Sequence, residues 1–292
     1  MKLVSYRIAD RAGVGAVVDG RVVDLAPALQ DLVAAGAAPD MLALLRAGDW
    51  GLAAVAACIA RADRAAACPR LADVELLAPV PRPGKIVAIG RNYADHAAET
   101  GVKPFEAPRI IAKLPSSVAP PGSVVPRPQG VAKLDYEVEL AVVIGRVARR
   151  VARADALAMV AGYTILDDVS AREFQFDVSP PQTTFAKSMD GFCPMGPWLV
   201  TRDEVPDPQA LRLRTWLNDE LVQDGNTHDM IFDVAGLIEY ISRYMTLEPG
   251  DVVATGTPAG VGAFRKPPRY LAPGDRVRLE ISGIGVLEHG IG

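Results

Sequence analysis

Apolar and polar positions change texture part-way along this chain. Near the start, two short apolar runs, 14–18 and 21–25, flank Asp19-Gly20, a pair suited to a two-residue type I′ turn, so a β-hairpin is expected. Two segments rich in Ala and Leu follow, at 28–47 and 52–67. Their charges gather on one side, as in amphipathic helices that cover a core. Leu77-Ala78-Pro79-Val80-Pro81-Arg82-Pro83-Gly84 continues neither a helix nor a central strand, so 77–84 reads as a linker. The expected organisation is a small α+β N-terminal domain (1–76), that linker, and a main domain over 85–292.

Beyond the linker the pattern becomes short β runs separated by turns, at 85–89, 137–144, 161–166, 196–201, 211–217, 251–255 and 276–281. Helical segments are predicted near 93–100, 154–159 and 234–244. The spacing is irregular and unlike the strand–helix alternation of a doubly wound sheet. The fold class is therefore α+β: a mixed sheet rolled or closed into a barrel, with peripheral helices. Two phrases, Leu247-Glu248-Pro249-Gly250-Asp251 and Leu271-Ala272-Pro273-Gly274-Asp275, place Pro-Gly where a type II turn leads into a strand.

One run carries chemistry. In Leu134-Asp135-Tyr136-Glu137-Val138-Glu139-Leu140, followed by Ala141-Val142-Val143-Ile144, two glutamates two apart sit in an otherwise apolar strand. Side chains alternate across a strand, so both carboxylates share one face. Like charges on a buried face need a cation, and a hard divalent ion such as Mg²⁺ prefers carboxylate oxygens. The bland alternative is an edge strand with its acidic face in water. Asp167-Asp168, ending the next predicted strand ahead of Arg172, supply a third arm, one aspartate ligating while the other caps. His96 and Glu99 fall at i and i+3 of a helical turn, where a carboxylate fixes the imidazole tautomer and makes a base suited to neutral pH; the bland alternative is a surface His–Glu pair. Lys187 lies in an apolar loop and requires an anion, either substrate oxygen or a structural partner. His228 and His289 lack such neighbours and read as surface or loop histidines. The glycines around Thr257 let backbone N–H groups approach an anion, but no P-loop, dinucleotide-binding or nucleophile-elbow signature is present.

Composition narrows this further. A net charge of −4 with scattered lysines and arginines gives no nucleic-acid footprint. Three cysteines without CxxC spacing argue for a reducing compartment. No signal-like or membrane-spanning run stands out, so a cytoplasmic enzyme is expected.

The blocks Gly90-Arg91-Asn92-Tyr93-Ala94-Asp95-His96, Asp135-Tyr136-Glu137-Val138-Glu139-Leu140, Asp168-Val169-Ser170-Ala171-Arg172, Ala186-Lys187-Ser188 and Gly250-Asp251-Val252-Val253-Ala254-Thr255-Gly256-Thr257-Pro258 resemble, in order, those of the fumarylacetoacetate hydrolase family. The N-terminal segment resembles the extra domain of longer bacterial members. The resemblance implies a mixed β-roll, a Mg²⁺ or Mn²⁺ cofactor and a homodimer. It implies Glu137, Glu139 and Asp168 as metal ligands, and His96 with Glu99 as a base dyad on a lid that orders with substrate. It implies Lys187 as a catalytic contact to polarised oxygens, and Arg91, Tyr93, Arg172 and Thr257 as substrate contacts. The activity expected first is hydrolysis of a C–C bond in a 2,4-dioxo acid (an acylpyruvate or a 2,4-diketo-3-deoxy sugar acid) to pyruvate and a carboxylic acid. The alternatives are an oxaloacetate decarboxylase or tautomerase and a 2-hydroxyhepta-2,4-diene-1,7-dioate-type isomerase. A ureidoglycolate lyase and a non-catalytic binding protein come after these. Ile111, where an aromatic is usual, and Asp219 after Asn218 depart from the family pattern and leave the pocket shape open.

Overall fold

A computed structural model describes all residues except 31–38, 63–67, 100, 102 and 104. Its main strands are β1 (Lys2–Ile8), β2 (Arg11–Val18), β3 (Arg21–Asp24), β4 (Ile86–Gly90), β5 (Arg109–Lys113), β6 (Val138–Ile144), β7 (Val160–Asp167), β8 (Cys193–Thr201), β9 (Arg212–Leu217), β10 (Glu220–Asn226), β11 (Val252–Ala254), β12 (Arg276–Ile281) and β13 (Gly285–Ile291). An 11-stranded sheet runs β3-β2-β1-β8-β7-β6-β11-β4-β5, with two short strands beside that path. Its neighbours are antiparallel except β11 and β4, which are parallel. A second sheet runs β10-β9-β12-β13 and ends on Val124–Val125. The two ends of the large sheet do not pair, so the expected closure into a barrel does not occur: the sheets are mixed and open, with helices at the periphery.

β6 sits near the middle because every residue in it except Glu139 is apolar. All seven of its residues are buried, as a continuous apolar run covered on both faces requires. Val138, Leu140, Val142 and Ile144 enter one core with Leu213, Leu279 and Leu287 of the second sheet. Ala141 and Val143 face the other core, beside Leu166, Leu199 and Ile86. Glu139 belongs by parity to that second face, at the strand's beginning.

The segment 1–76, expected as a small domain, adds strands to the same sheet: β1 pairs with β8, Lys2 opposite Val200. Leu3, Val14, Leu25 and Met41 share a core with Ile86, Val143 and Leu166. The hairpin forms as expected, with Asp19 at φ 51° and Gly20 at φ 72°, the left-handed pair a type I′ turn demands. Both Pro-Gly phrases make turns in which an aspartate N–H bonds the carbonyl three residues back, Asp251 to Glu248 at 2.9 Å and Asp275 to Ala272 at 3.0 Å. The predicted helix 28–47 is replaced, where described, by Ala26–Leu29 and Met41–Arg46, and 31–38 lie outside the described residues. The helix predicted at 52–67 runs Gly48–Arg61, with 63–67 again outside. No described helix is long and apolar enough to cross a membrane.

Candidate metal and acid–base site

The carboxylates of Glu137, Glu139 and Asp168 converge, with one oxygen from each within 4.8 Å of the others. Three segments build this meeting. Glu137 stands just before β6, its N–H donating to Asp167 Oδ1 at 2.8 Å and its carbonyl accepting from the Asp168 N–H at 3.0 Å. Asp167 is thus the brace and Asp168 the member of the trio. Asp167 Oδ2 also meets His289 Nε2 at 2.7 Å, and His289 is buried. This corrects the surface reading of His289: its partner lies 122 residues away in sequence.

Cations hold part of the trio. Lys187 Nζ donates to Glu137 Oε2 at 2.7 Å, Asp168 Oδ2 at 2.6 Å and Ser170 Oγ at 2.8 Å. Lys113 Nζ lies 2.9 Å from Asp168 Oδ1 and donates to the Lys187 carbonyl. Arg172 places its terminal nitrogen 2.8 Å from Glu137 Oε1 and donates from Nε to Asp135 Oδ2 at 2.8 Å. Asp135 in turn accepts the N–H groups of Gly262 and Ala263, tying that loop down.

Charge is therefore shared unequally. Burial works to raise Glu137, but Lys187 and Arg172 outweigh it and hold the carboxyl down at about 2. Among the described residues Glu139 has no cation within ion-pair distance, and its Oε2 accepts the Gly256 N–H, at 2.8 Å. Burial first, then the neighbouring Asp168 and Glu137, push its pKa well above the ordinary range. Gly256 is required there: its φ is +97°, and a Cβ would lie 2.8 Å from Asn92 Cβ. Three hard oxygens, one of them uncompensated, suit a divalent cation such as Mg²⁺ or Mn²⁺. Asp168 Oδ1 is held in turn by the buried Lys113 ammonium, 2.9 Å away.

A cavity of about 250 Å³ opens onto the trio. His96, Lys187, Arg172, Arg91 and Thr257 line it, as the sequence led us to expect. His96 Nδ1 lies 3.1 Å from Glu99 Oε2 on the helix Ala94–Glu99. A carboxylate accepts, so Nδ1 carries the hydrogen and Nε2 is left as the basic atom. Glu99 is itself fixed by the Gly260 N–H at 3.2 Å. The Thr257 hydroxyl accepts from Gln223 Nε2 at 2.9 Å. Tyr93 departs from expectation: it does not line the cavity, and its ring is fully buried in the core with a phenol that has no hydrogen-bond partner among the described residues. Lys113, Arg109, Gln175, Phe176 and Phe264 belong to the site but were not singled out in the sequence; Lys113 meets Asp168 from a remote segment, and Gln175 accepts from Arg172 one helical turn before it.

The family model for the fumarylacetoacetate hydrolase C-terminal domain matches residues 85–291. The chain belongs to the fumarylacetoacetate hydrolase family. It is 46% identical over 231 residues to the human mitochondrial oxaloacetate tautomerase, covering 78% of this chain and 74% of that protein. A fumarylacetoacetate hydrolase from psychrophilic Exiguobacterium antarcticum superposes with a TM-score of 0.84 at 37% identity, over 100% of this chain and 99% of that one. The maleylpyruvate hydrolase from Sphingobium sp. SYK-6, solved with manganese(II) and pyruvate, gives 0.80 at 33% identity, over 100% and 98%.

Proposed function

We propose that this protein is a divalent-metal-dependent enzyme that moves a proton at the carbon beside the 2-oxo group of a 2-oxo acid, interconverting the keto and enol forms of oxaloacetate. The observation that carries the reading is one cavity lined by both the carboxylate trio and the His96–Glu99 pair. Glu137, Glu139 and Asp168 would hold the cation, which supplies Lewis-acid polarisation of the substrate oxygens when bound. His96 Nε2 takes the proton from C3 of the keto form, and the proton returns to the oxygen at C2 to give the enol. Glu99 keeps the ring in the tautomer that makes this transfer available. Lys187, its charge retained because Asp168 and Glu137 outweigh the effect of burial, faces the developing negative oxygen from the cavity wall. The likeness to the human tautomerase supports this reaction over the C–C hydrolysis expected first.

Hydrolysis of a 2,4-dioxo acid is the second reading. It is favoured by the likeness to maleylpyruvate hydrolase, and the same imidazole would then activate water. A paired assay separates the two. With Mg²⁺ or Mn²⁺, the oxaloacetate enol absorbance should relax rapidly without release of pyruvate, while acetylpyruvate is consumed slowly. Fast acetylpyruvate cleavage beside an uncatalysed oxaloacetate trace would select the hydrolase, and two uncatalysed traces would refute both.

A further inference from the structure

Five basic side chains sit at or against the cavity, and they fall into two groups. Lys113, Lys187 and Arg172 are each in contact with Asp135, Glu137 or Asp168. Arg91 and Arg109 also line the cavity, yet among the described residues neither touches a carboxylate. Arg91 lies over the ring of Phe105, 5.9 Å from its centroid.

The backbone is arranged to bring these two guanidiniums together. Arg109 on β5 stands directly opposite Gly90 on β4. A Cβ at Gly90 would come within 3.3 Å of Arg109 Cδ, so the glycine leaves room for the arginine stem to lie across the strand. Arg91 follows at φ 57°, a left-handed conformation that a long side chain rarely adopts and that persists only where the surroundings enforce it. Burial, then the neighbouring Arg109, lower the Arg91 pKa: a partly buried guanidinium lies close to the exposed one of Arg109 at the rim of the cavity. The remaining wall includes apolar Ile89, Ile111, Phe176 and Phe264, which offer no counter-charge. A carboxylate between two guanidinium forks relieves the repulsion and accepts bidentate hydrogen bonds.

We propose that Arg91 and Arg109 form a subsite for the substrate's second carboxylate, and that they select 2-oxo dicarboxylates over monocarboxylic 2-oxo acids. The proposal rests on the reading that a 2-oxo acid binds at the cation held by the trio. Oxaloacetate and 2-oxobutanoate differ only by a carboxylate in place of a methyl group, so the pair isolates the subsite. Calorimetric titration of the Mn²⁺-loaded protein should show tighter binding of oxaloacetate. Arg109→Leu, on an edge strand of the sheet, should weaken oxaloacetate by roughly 10- to 100-fold, the loss expected for hydrogen bonds between charged groups. It should leave 2-oxobutanoate binding and the melting temperature unchanged, and Arg91→Gln should act in the same direction. If the parent binds both acids but does not prefer oxaloacetate, or the variants weaken both equally or neither, the subsite is overturned and the metal reading survives. If neither acid binds the Mn²⁺-loaded parent, the metal reading fails and the subsite falls with it.

Discussion

Glu139→Gln is expected to leave the metal-free protein at least as stable as the parent while turnover falls by about 10³-fold or more, a loss of roughly 4 kcal/mol of transition-state stabilisation. Glu139 is buried with no cation in contact among the described residues, and burial together with Asp168 and Glu137 opposes its ionisation. The amide keeps the shape and still accepts the Gly256 N–H, so the change removes an unfavourable charge and also a metal ligand. Glu137→Gln should behave in the opposite way. That carboxylate pairs with both Lys187 and Arg172, and its neutralisation leaves two buried cations short of a partner, at a cost of about 3–5 kcal/mol. Melting curves with and without Mn²⁺ check the contrast. Equal destabilisation by the two variants, or an undiminished Mn²⁺-induced rise in the Glu139→Gln melting temperature, would contradict the assignment.

His96→Asn carries the second large effect. We expect turnover to drop about 10²- to 10⁴-fold, the usual contribution of a positioned general base. Mn²⁺ affinity should stay at the parent value, because His96 is not one of the three clustered carboxylates. Glu99→Gln should give a smaller loss in the same direction, since its side chain orients the ring from 3.1 Å without itself taking the proton. Measured kcat alongside Mn²⁺ binding separates the dyad from the trio. Loss of metal binding in His96→Asn, or full activity, would reject the base role.

What the sequence disclosed were contacts between near neighbours. Glu137 and Glu139 are two apart in an apolar run, and His96 and Glu99 are one helical turn apart, so strand and helix periods alone bring each pair together. Asp167 and Asp168 were recognisable as a pair of which one joins the carboxylate cluster and the other helps, although the helper braces the Glu137 backbone instead of capping a turn. Of the two partners suggested for Lys187, the structure shows the structural ion pair, and the side chain also lines the cavity. The distant partners were hidden. Lys113 reaches Asp168 from another strand, and His289 reaches Asp167 across 122 residues. No local pattern encodes such a contact, because sheet order decides it. Tyr93 failed for a related reason: its neighbours in sequence line the cavity, but its own side chain turns into the core. The N-terminal strands were legible as a hairpin, yet their pairing with β8 depends on an edge that forms only once the rest of the sheet exists.

The structural claim beneath all of this is that three carboxylates grip one divalent ion. Diffraction from a crystal grown with Mn²⁺ tests it most directly. The account predicts a single strong anomalous peak ligated by Glu137, Glu139 and Asp168 together. A peak elsewhere, or a solvent-filled space among the three oxygens at saturating Mn²⁺, would contradict it.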